Sequence, residues 1–214
     1  MNHNVEPDSA LPRVLGITGG IGAGKSFVAR NLQPFIPVFD CDSAGKEAYT
    51  ARPDLTKQLK QLLGADAYQG DVPQFPVIAR CVFSDSALLK RVEEIIHPFV
   101  REQFLLWRSR CAHTPCDWVG LESAILIEKG FDALCDAVLY VQAPTQLRLS
   151  RAQARDHTSA EALLRRIRAQ QFLAEQYNRR PLWIFENSAE GLPPHFPAQL
   201  KAFLQSVPPQ QTHN

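Results

Sequence analysis

The chain has 214 residues, 23 basic and 22 acidic side chains, and a formal net charge of +1. With 45% hydrophobic residues it can bury a substantial core, either as one domain or as one core with an inserted lobe. The near-neutral charge argues against a nucleic acid partner, because such proteins usually carry a strongly basic balance. No apolar run approaches the roughly 18 residues of a membrane span, so we expect no membrane association.

The cysteines and the chain ends indicate no covalent framework and no export signal. The five cysteines are odd in number and show no CxxC pair or zinc-type spacing, so neither disulfides nor a zinc site is expected. Reduced thiols are the default in the cytosol, and residues 1–12 lack the apolar stretch of a signal peptide. We therefore expect a cytoplasmic protein, with tails at residues 1–12 and 208–214.

The first part of the chain has the pattern of a strand, a helix and a second strand. Val14–Thr18 and Ile36–Phe39 are short apolar runs, typical of strands buried in a parallel sheet. Ser26–Leu32, between them, predicts a short helix. The sequence therefore predicts a βαβ unit.

Between residues 43 and 116 the strand signals disappear, and apolar residues recur at helical spacing. Ser84–Ser86 offers an N-cap for a long helix, in which Pro98 predicts a bend or a restart. We interpret residues 43–116 as an inserted helical lobe.

Strand patterns then return at Trp118–Ile127, Ala137–Val141 and Leu182–Phe185, with a helical stretch at Ser159–Tyr177. This alternation predicts an α/β fold, in which a parallel sheet of about five strands is flanked by helices on both faces. Residues 13–42 and 117–207 form its predicted core.

Residues 19–26 read GGIGAGKS, a complete GxxxxGKS motif between a predicted strand and a predicted helix. This is the context of a P-loop, in which backbone N–H groups and the start of the helix bind a polyphosphate. Lys25 would bridge the β and γ phosphates, and the Ser26 hydroxyl would ligate magnesium. A glycine turn that only joins a strand to a helix explains Gly24 but not Lys25 and Ser26.

Acidic side chains follow or interrupt the predicted strands. Asp40 and Asp42 end the second strand, where a carboxylate can accept a proton from a hydroxyl or hold water on magnesium. Either residue could instead cap the following helix, and the sequence leaves both readings open. Glu122 lies within an apolar run, where an acid is costly unless paired, and suits the Walker B role. Glu128 suits either a site residue or a helix cap.

Eight arginines and no lysine lie between residues 148 and 180. Guanidinium groups grip phosphate oxygens through paired hydrogen bonds, so arginines suit a lid over a phosphoryl group. We favour that role for Arg151 and Arg155, which precede the predicted helix. Arg165 and Arg168 fit a solvated helix face balanced by Glu161 and Glu175.

Taken together, these motifs resemble the dephospho-CoA kinase family over about residues 13–187. The segments that carry the resemblance are Gly16–Ser26, Val38–Asp42, Val82–Asp85, Ile95–Pro98, Glu122–Glu128, Arg151–Asp156 and Arg166–Gln170. The chain departs from the family pattern at Phe27, Phe75, Ala124, Pro181-Leu182 and Arg148, the last standing at a glutamine position.

The resemblance implies transfer of the γ-phosphate of ATP, with Mg²⁺, to the 3′-hydroxyl of the ribose of dephospho-CoA, the last step of coenzyme A biosynthesis. It implies that residues 43–116 hold the CoA portion and that residues 144–170 form the lid and the helix after it. By residue matching, Asp42 becomes the preferred base over Asp40.

The resemblance and the motifs together give a set of expected site residues. Catalytic roles are expected for Asp42, Lys25, Arg151 and Arg155. ATP binding is expected for Gly20, Ile21, Gly22, Ala23, Gly24, Lys25, Ser26, Phe27 and Asn187. Substrate binding is expected for Thr18, Asp42, His97 and Glu128, and metal binding for Ser26 and, through water, for Glu122 and Asp40.

Two other functions fit parts of the sequence. One is a P-loop kinase for another small hydroxyl acceptor, such as a nucleoside or nucleotide, against which the His97-Pro98 segment and the helical insertion argue. The other is an ATP-binding module without turnover, against which the set of Lys25, Ser26, Asp42 and Glu122 argues. We expect a monomer or a weak homo-oligomer.

Overall fold

The computed structural model describes residues 11–156, 159–170, 177–188 and 191–209. The chain divides into two compact units, one formed by residues up to Phe39 and from Arg108 onward, the other by Asp40–Trp107. The second unit therefore begins and ends earlier than the predicted lobe of residues 43–116. Most of the two predicted tails lies outside the described residues.

A five-stranded sheet forms the centre of the first unit, as predicted. Numbered in chain order, its strands are β1 (Arg13–Thr18), β2 (Val38–Asp40), β5 (Trp118–Glu122), β6 (Ala137–Gln142) and β7 (Leu182–Glu186). Their order across the sheet is β2-β5-β1-β6-β7. The middle strand β1 pairs in parallel with β5 and with β6, and β6 pairs in parallel with β7. The carboxyl ends of these strands therefore lie at one edge of the sheet.

Helices cover this sheet in the first unit. They are α1 (Lys25–Leu32), α6 (Thr145–Asp156), α7 (Ala160–Ala169) and α8 (Phe196–Ser206). Val28 and Leu32 of α1 are buried one helical turn apart, in the same cluster as Leu139 of β6 and Leu200 of α8. The helix after the P-loop is thus fixed to the sheet by apolar packing.

The second unit is mainly helical and has its own core. Its elements are α2 (Cys41–Glu47), α3 (Pro53–Leu63), a short hairpin of β3 (Tyr68–Gln69) and β4 (Val72–Pro73), α4 (Phe75–Ser84) and most of α5 (Ser86–Cys111). Leu59, Ile78 and Val92 belong to one buried cluster within it. The hairpin was not predicted, because its strands are only two residues long.

One sequence prediction differs from the structure. The strand predicted over Trp118–Ile127 ends at Glu122, because the Ser123 hydroxyl accepts a hydrogen bond from the N–H of Ile125 (3.2 Å) and starts a turn. Helix α5 continues through Pro98 without a restart. Its predicted cap is confirmed, since Asp85 accepts from the N–H groups of Ala87 and Leu88.

In the part of the chain that the structure describes, no helix combines the length and apolar character needed to cross a bilayer.

Candidate functional site

The P-loop, residues 19–26, connects β1 to α1 at the carboxyl edge of the sheet. Gly22 and Gly24 have φ values of +73° and +93°, in the left-handed region that glycine adopts without steric cost. Gly24 is the N-cap of α1 and has no side chain to cap it, so the first N–H groups of the helix remain directed at the loop. The local geometry is that of a phosphate-binding loop.

Asn187 supports the loop from the end of β7. Its side chain is buried, and its Nδ2 donates a hydrogen bond to the carbonyl of Ala23 (2.9 Å). A Cβ atom at Gly24 would collide with this Nδ2, so the loop and the amide pack without room for a side chain. The Oδ1 of Asn187 is buried and has no hydrogen-bond partner in the structure.

Ser26 and Glu122 form the closest polar pair at the loop. The Ser26 hydroxyl donates to Oε1 of Glu122 over 2.6 Å, and Glu122 is buried at the end of β5, next to β1. A hydroxyl and a carboxylate are ligands that Mg²⁺ accepts, usually alongside waters and phosphate oxygens. The pair therefore fits a magnesium ion carried by a nucleotide. Among the described residues, no group of three or more acidic, histidine or cysteine side chains could hold a metal by itself.

Of the other residues expected to bind ATP, some have polar groups without a described partner, and others have backbone N–H groups that already donate hydrogen bonds. The Lys25 side chain is half-buried and has no described partner, so its ammonium can meet a phosphate. The Ile21 N–H donates to Oε1 of Gln170 (2.8 Å), and the Ala23 N–H donates to the carbonyl of Gly20 (3.1 Å). The side chain of Phe27 packs against the apolar core. Of the residues expected to bind ATP, Ile21 and Ala23 therefore have backbone N–H groups that are already engaged.

Two residues that hold the loop were missed by sequence reasoning. Arg148 of α6 donates from Nε to the carbonyl of Ile21 (2.9 Å), while Gln170, which follows α7, accepts from the N–H of the same residue. The sequence shows Arg148 only as one of the eight arginines between residues 148 and 180 and as a departure from the family pattern, and it shows Gln170 only as the end of a matching segment. No periodicity or motif places them against the loop, because the contacts span more than a hundred residues of sequence.

The predicted lid residues belong to α6 and α7, which pack against each other. Arg151 is half-buried, and its Nη1 donates to the backbone carbonyl of Asn187 (3.1 Å), while Arg155 is exposed. Arg165 forms an exposed ion pair with Glu161 (2.7 Å), as the solvated-face interpretation predicts. Glu175 lies outside the described residues.

The second unit contains the two aspartates between which the sequence did not decide. Asp40 caps α2: its Oδ1 accepts from the N–H groups of Asp42 and Ser43, and its Oδ2 accepts from the Ser43 hydroxyl. Asp42 is exposed in the first turn of the helix, and its carboxylate has no described partner. The capping role therefore belongs to Asp40, whose two oxygens are both engaged, and Asp42 is left open for chemistry.

The three other expected substrate residues have different surroundings. Thr18 is buried at the end of β1, directly before the P-loop, and Glu128 is exposed in the turn region after β5. His97 is half-buried in α5, within the second unit. The P-loop, Ser26 and Glu122 thus belong to the first unit, whereas His97 belongs to the second.

One large cavity of the first unit lies away from the P-loop. It has a volume of about 1010 Å³ and is lined by Arg13 and Trp118, the first residues of β1 and β5, together with apolar residues of α1 and α8. The P-loop instead follows the carboxyl end of β1, which is the edge where parallel α/β sheets bind their ligands. We therefore assign the candidate site to the P-loop edge.

Comparison with known proteins gives a consistent set of relatives. The family model for dephospho-CoA kinase matches residues 13–191. A dephospho-CoA kinase of Porphyromonas gingivalis is 43% identical over 158 residues, 73% of this chain and 77% of the relative. One of Bacteroides fragilis is 38% identical over 192 residues, 89% of this chain and 92% of the relative. A Thermus thermophilus crystal structure has a TM-score of 0.75 at 34% identity and covers 94% of this chain and 100% of its own.

The close approach of Asn187 to the loop makes Gly24 a sensitive position. We expect Gly24→Ala to weaken nucleoside triphosphate binding by about tenfold or more, because its Cβ would strain a left-handed residue and displace the Asn187 amide. Isothermal titration calorimetry measures this change. Gly45→Ala is the matched control, since its Cβ would meet side chains only at 3.8 and 4.0 Å, and we expect it to bind as the wild type does. Wild-type affinity in Gly24→Ala would contradict the close packing described here.

Proposed function

The chain belongs to the dephospho-CoA kinase family, and from that premise we propose how its residues carry out the reaction. The enzyme transfers the γ-phosphate of ATP to the 3′-hydroxyl of the ribose of dephospho-CoA, which gives ADP and CoA. A bond forms between the ribose O3′ and the γ-phosphorus, and the bond between that phosphorus and the β–γ bridging oxygen breaks. The observation that supports these roles best is the P-loop with the 2.6 Å contact between Ser26 and Glu122.

Phosphate binding is proposed for the P-loop and Lys25. The N–H groups at the start of α1 and the partial positive charge of its N-terminus favour the β-phosphate, and the free Lys25 ammonium neutralises the β and γ oxygens. Asn187 keeps the loop in shape through Ala23, and its unpaired Oδ1 is an acceptor suited to an amino group of the nucleotide. Binding of this kind positions the γ-phosphate, which is most of what a phosphoryl-transfer enzyme must do.

A magnesium ion bound with ATP would be held by the Ser26 hydroxyl and, through water, by Glu122. When bound, it neutralises the charge of the β and γ phosphates. Glu122 also keeps the Ser26 side chain oriented, because their hydrogen bond fixes the hydroxyl at the start of α1. Asp40 is the weaker candidate for this role, since the cap of α2 already uses both of its carboxylate oxygens.

The general base is proposed to be Asp42. Its exposed carboxylate has no described partner, so it can accept the proton of the ribose 3′-hydroxyl as the phosphoryl group is transferred. Thr18, His97 and Glu128 are proposed to contact dephospho-CoA, and the unit of residues 40–107 is proposed to hold its pantetheine end.

Arg151 and Arg155 are proposed to neutralise the charge that develops on the transferring group. The bond from Arg151 to the Asn187 carbonyl supports this proposal, because it ties α6 to the residue that supports the P-loop. A guanidinium cannot lose its charge at neutral pH, so its contribution is constant over the working range. We also propose a cytoplasmic location, since the five cysteines have free thiols.

The acceptor is tested by ADP release from Mg-ATP with and without dephospho-CoA, beside a panel of nucleosides and nucleotides. We expect ADP release that depends on dephospho-CoA and the highest kcat/KM for that acceptor. A higher kcat/KM for another acceptor would reassign the substrate. ATP binding without acceptor-dependent ADP release would indicate a binding module.

The matched variants Asp42→Asn and Asp40→Asn test which of the two aspartates is the general base. We expect Asp42→Asn to bind ATP normally and to lose about 10²–10⁴-fold in kcat, because the amide cannot accept the proton. Asp40→Asn should keep kcat, because asparagine caps a helix as well as aspartate does. Steady-state kinetics measure both, and an unchanged kcat in Asp42→Asn would exclude it as the base.

The role of the lid arginines is tested with Arg151→Ala and Arg165→Ala. We expect Arg151→Ala to lower kcat by more than it weakens ATP affinity, because the lost charge acts on the transition state more than on the bound nucleotide. Arg165→Ala, on the exposed face beside Glu161, should change neither. Weakened ATP affinity with an unchanged kcat in Arg151→Ala would indicate a binding role only.

A further inference from the structure

The guanidinium of Arg148 lies directly against the P-loop. Its Nε donates to the Ile21 carbonyl (2.9 Å), and a Cβ atom built on Gly20 would collide with Nη2 and come within 2.9 Å of Cζ. The backbone carbonyl of Arg148 also occupies the space that a side chain at Gly22 would need. Two glycines of the motif are thus packed against a single residue of α6.

The charge of this guanidinium has no counter-ion among the described residues. No carboxylate in that part of the chain forms an ion pair with Arg148, and its Nη2 is buried without a hydrogen-bond partner. Burial raises the pKa of Tyr140, which Arg148 lowers and Glu128 raises by their charges. The phenol is therefore neutral and does not balance the charge of Arg148. Burial lowers the pKa of Arg148, but an arginine remains charged at neutral pH.

An unpaired, partly desolvated cation is costly to fold unless a bound anion compensates for it. The anion that this loop is built to take is a polyphosphate, and the cation lies against the backbone of the same loop. We propose that Arg148 is a further nucleotide-recognition residue of this chain. Its guanidinium, which has no counter-ion among the described residues and is held on the Ile21 carbonyl, stabilises a nucleoside polyphosphate on the P-loop. This inference rests on the proposed function only in that the P-loop binds ATP.

The loop holds the guanidinium in position, and its charge then acts directly on the bound phosphates. The Nε bond of Arg148 and the Gln170 bond hold the two backbone groups of Ile21, which fixes the loop beside the charge. A Coulomb attraction grows with the charge of the ligand, so the benefit should rise from adenosine through ADP to ATP. A purely mechanical clamp would not depend on the number of phosphates.

The variants Arg148→Gln and Arg148→Lys separate charge from clamping. Glutamine keeps a donor for the Ile21 carbonyl and removes the charge, whereas lysine keeps the charge and removes the planar fork. Arg165→Gln is the matched control, since that arginine is exposed and paired with Glu161. Thermal unfolding of each variant shows whether the fold is retained.

Calorimetric titration with ATP and ADP in the presence of Mg²⁺, and with adenosine, gives the affinities. We expect Arg148→Gln to weaken ATP binding by about tenfold and ADP binding by less, and to leave adenosine unchanged. Arg148→Lys should recover most of the ATP affinity, and Arg165→Gln should match the wild type. Added salt should reduce the difference in ATP affinity between the wild type and Arg148→Gln.

Wild-type ATP affinity in Arg148→Gln, or equal weakening for all three ligands, would overturn the proposal. If Arg148→Gln does not fold, Arg148→Lys decides, because a tenfold loss of ATP affinity in a folded, charged variant would exclude the charge as the cause. The readout is binding and not turnover. A wild-type chain that binds ATP but does not phosphorylate dephospho-CoA would contradict the proposed acceptor and leave this test intact, whereas one that binds no ATP would overturn both.

Discussion

The site depends on how closely other backbone and side-chain atoms approach the P-loop. At Gly20, Gly22 and Gly24 a Cβ atom would collide with Arg148 or Asn187, so these neighbours closely enclose the loop. Such contacts fix a loop conformation that would otherwise be ordered only when the ligand binds, and a preformed loop lowers the entropic cost of binding. The glycines of the motif therefore serve two purposes, since they free N–H groups for phosphate and admit the residues that hold the loop.

The parallel sheet explains why residues distant in sequence meet at this loop. β1 ends in Thr18 before the loop, its neighbour β5 ends in Glu122, and β7 is followed by Asn187. Parallel strands bring all of these ends to one edge, so a carboxylate, an amide and the loop come together without any local sequence relation. Apolar packing of α1 on the sheet then holds Ser26 within hydrogen-bond distance of Glu122.

The sequence predicted the parts of this arrangement that have local signals. The strand, loop and helix around GGIGAGKS follow from apolar runs and glycines, and the Asp85 cap follows from a short polar segment. The residue pattern alone left Asp40 and Asp42 open, because both fit a cap, and the family resemblance favoured Asp42 as the base. The hydrogen bonds of Asp40 then identify it as the cap. Arg148 could not be predicted as a loop contact, since an arginine on a polar helix usually faces solvent.

The two bonds to Ile21 link α6 and the end of α7 to the P-loop, for which we propose phosphate binding. Arg148 of α6 holds the carbonyl of Ile21, and Gln170 after α7 holds its N–H, so neither helix can move away from the loop without breaking a hydrogen bond to it. A change in the loop backbone on phosphate binding therefore affects the positions of both helices. By thermodynamic linkage, a displacement of the helices changes the affinity for phosphate by the same coupling free energy. Because Arg151 lies one turn after Arg148 on α6, its distance from the transferring group is set by the same clamp. Nucleotide affinity and the placement of the lid arginines are thus two consequences of one set of contacts.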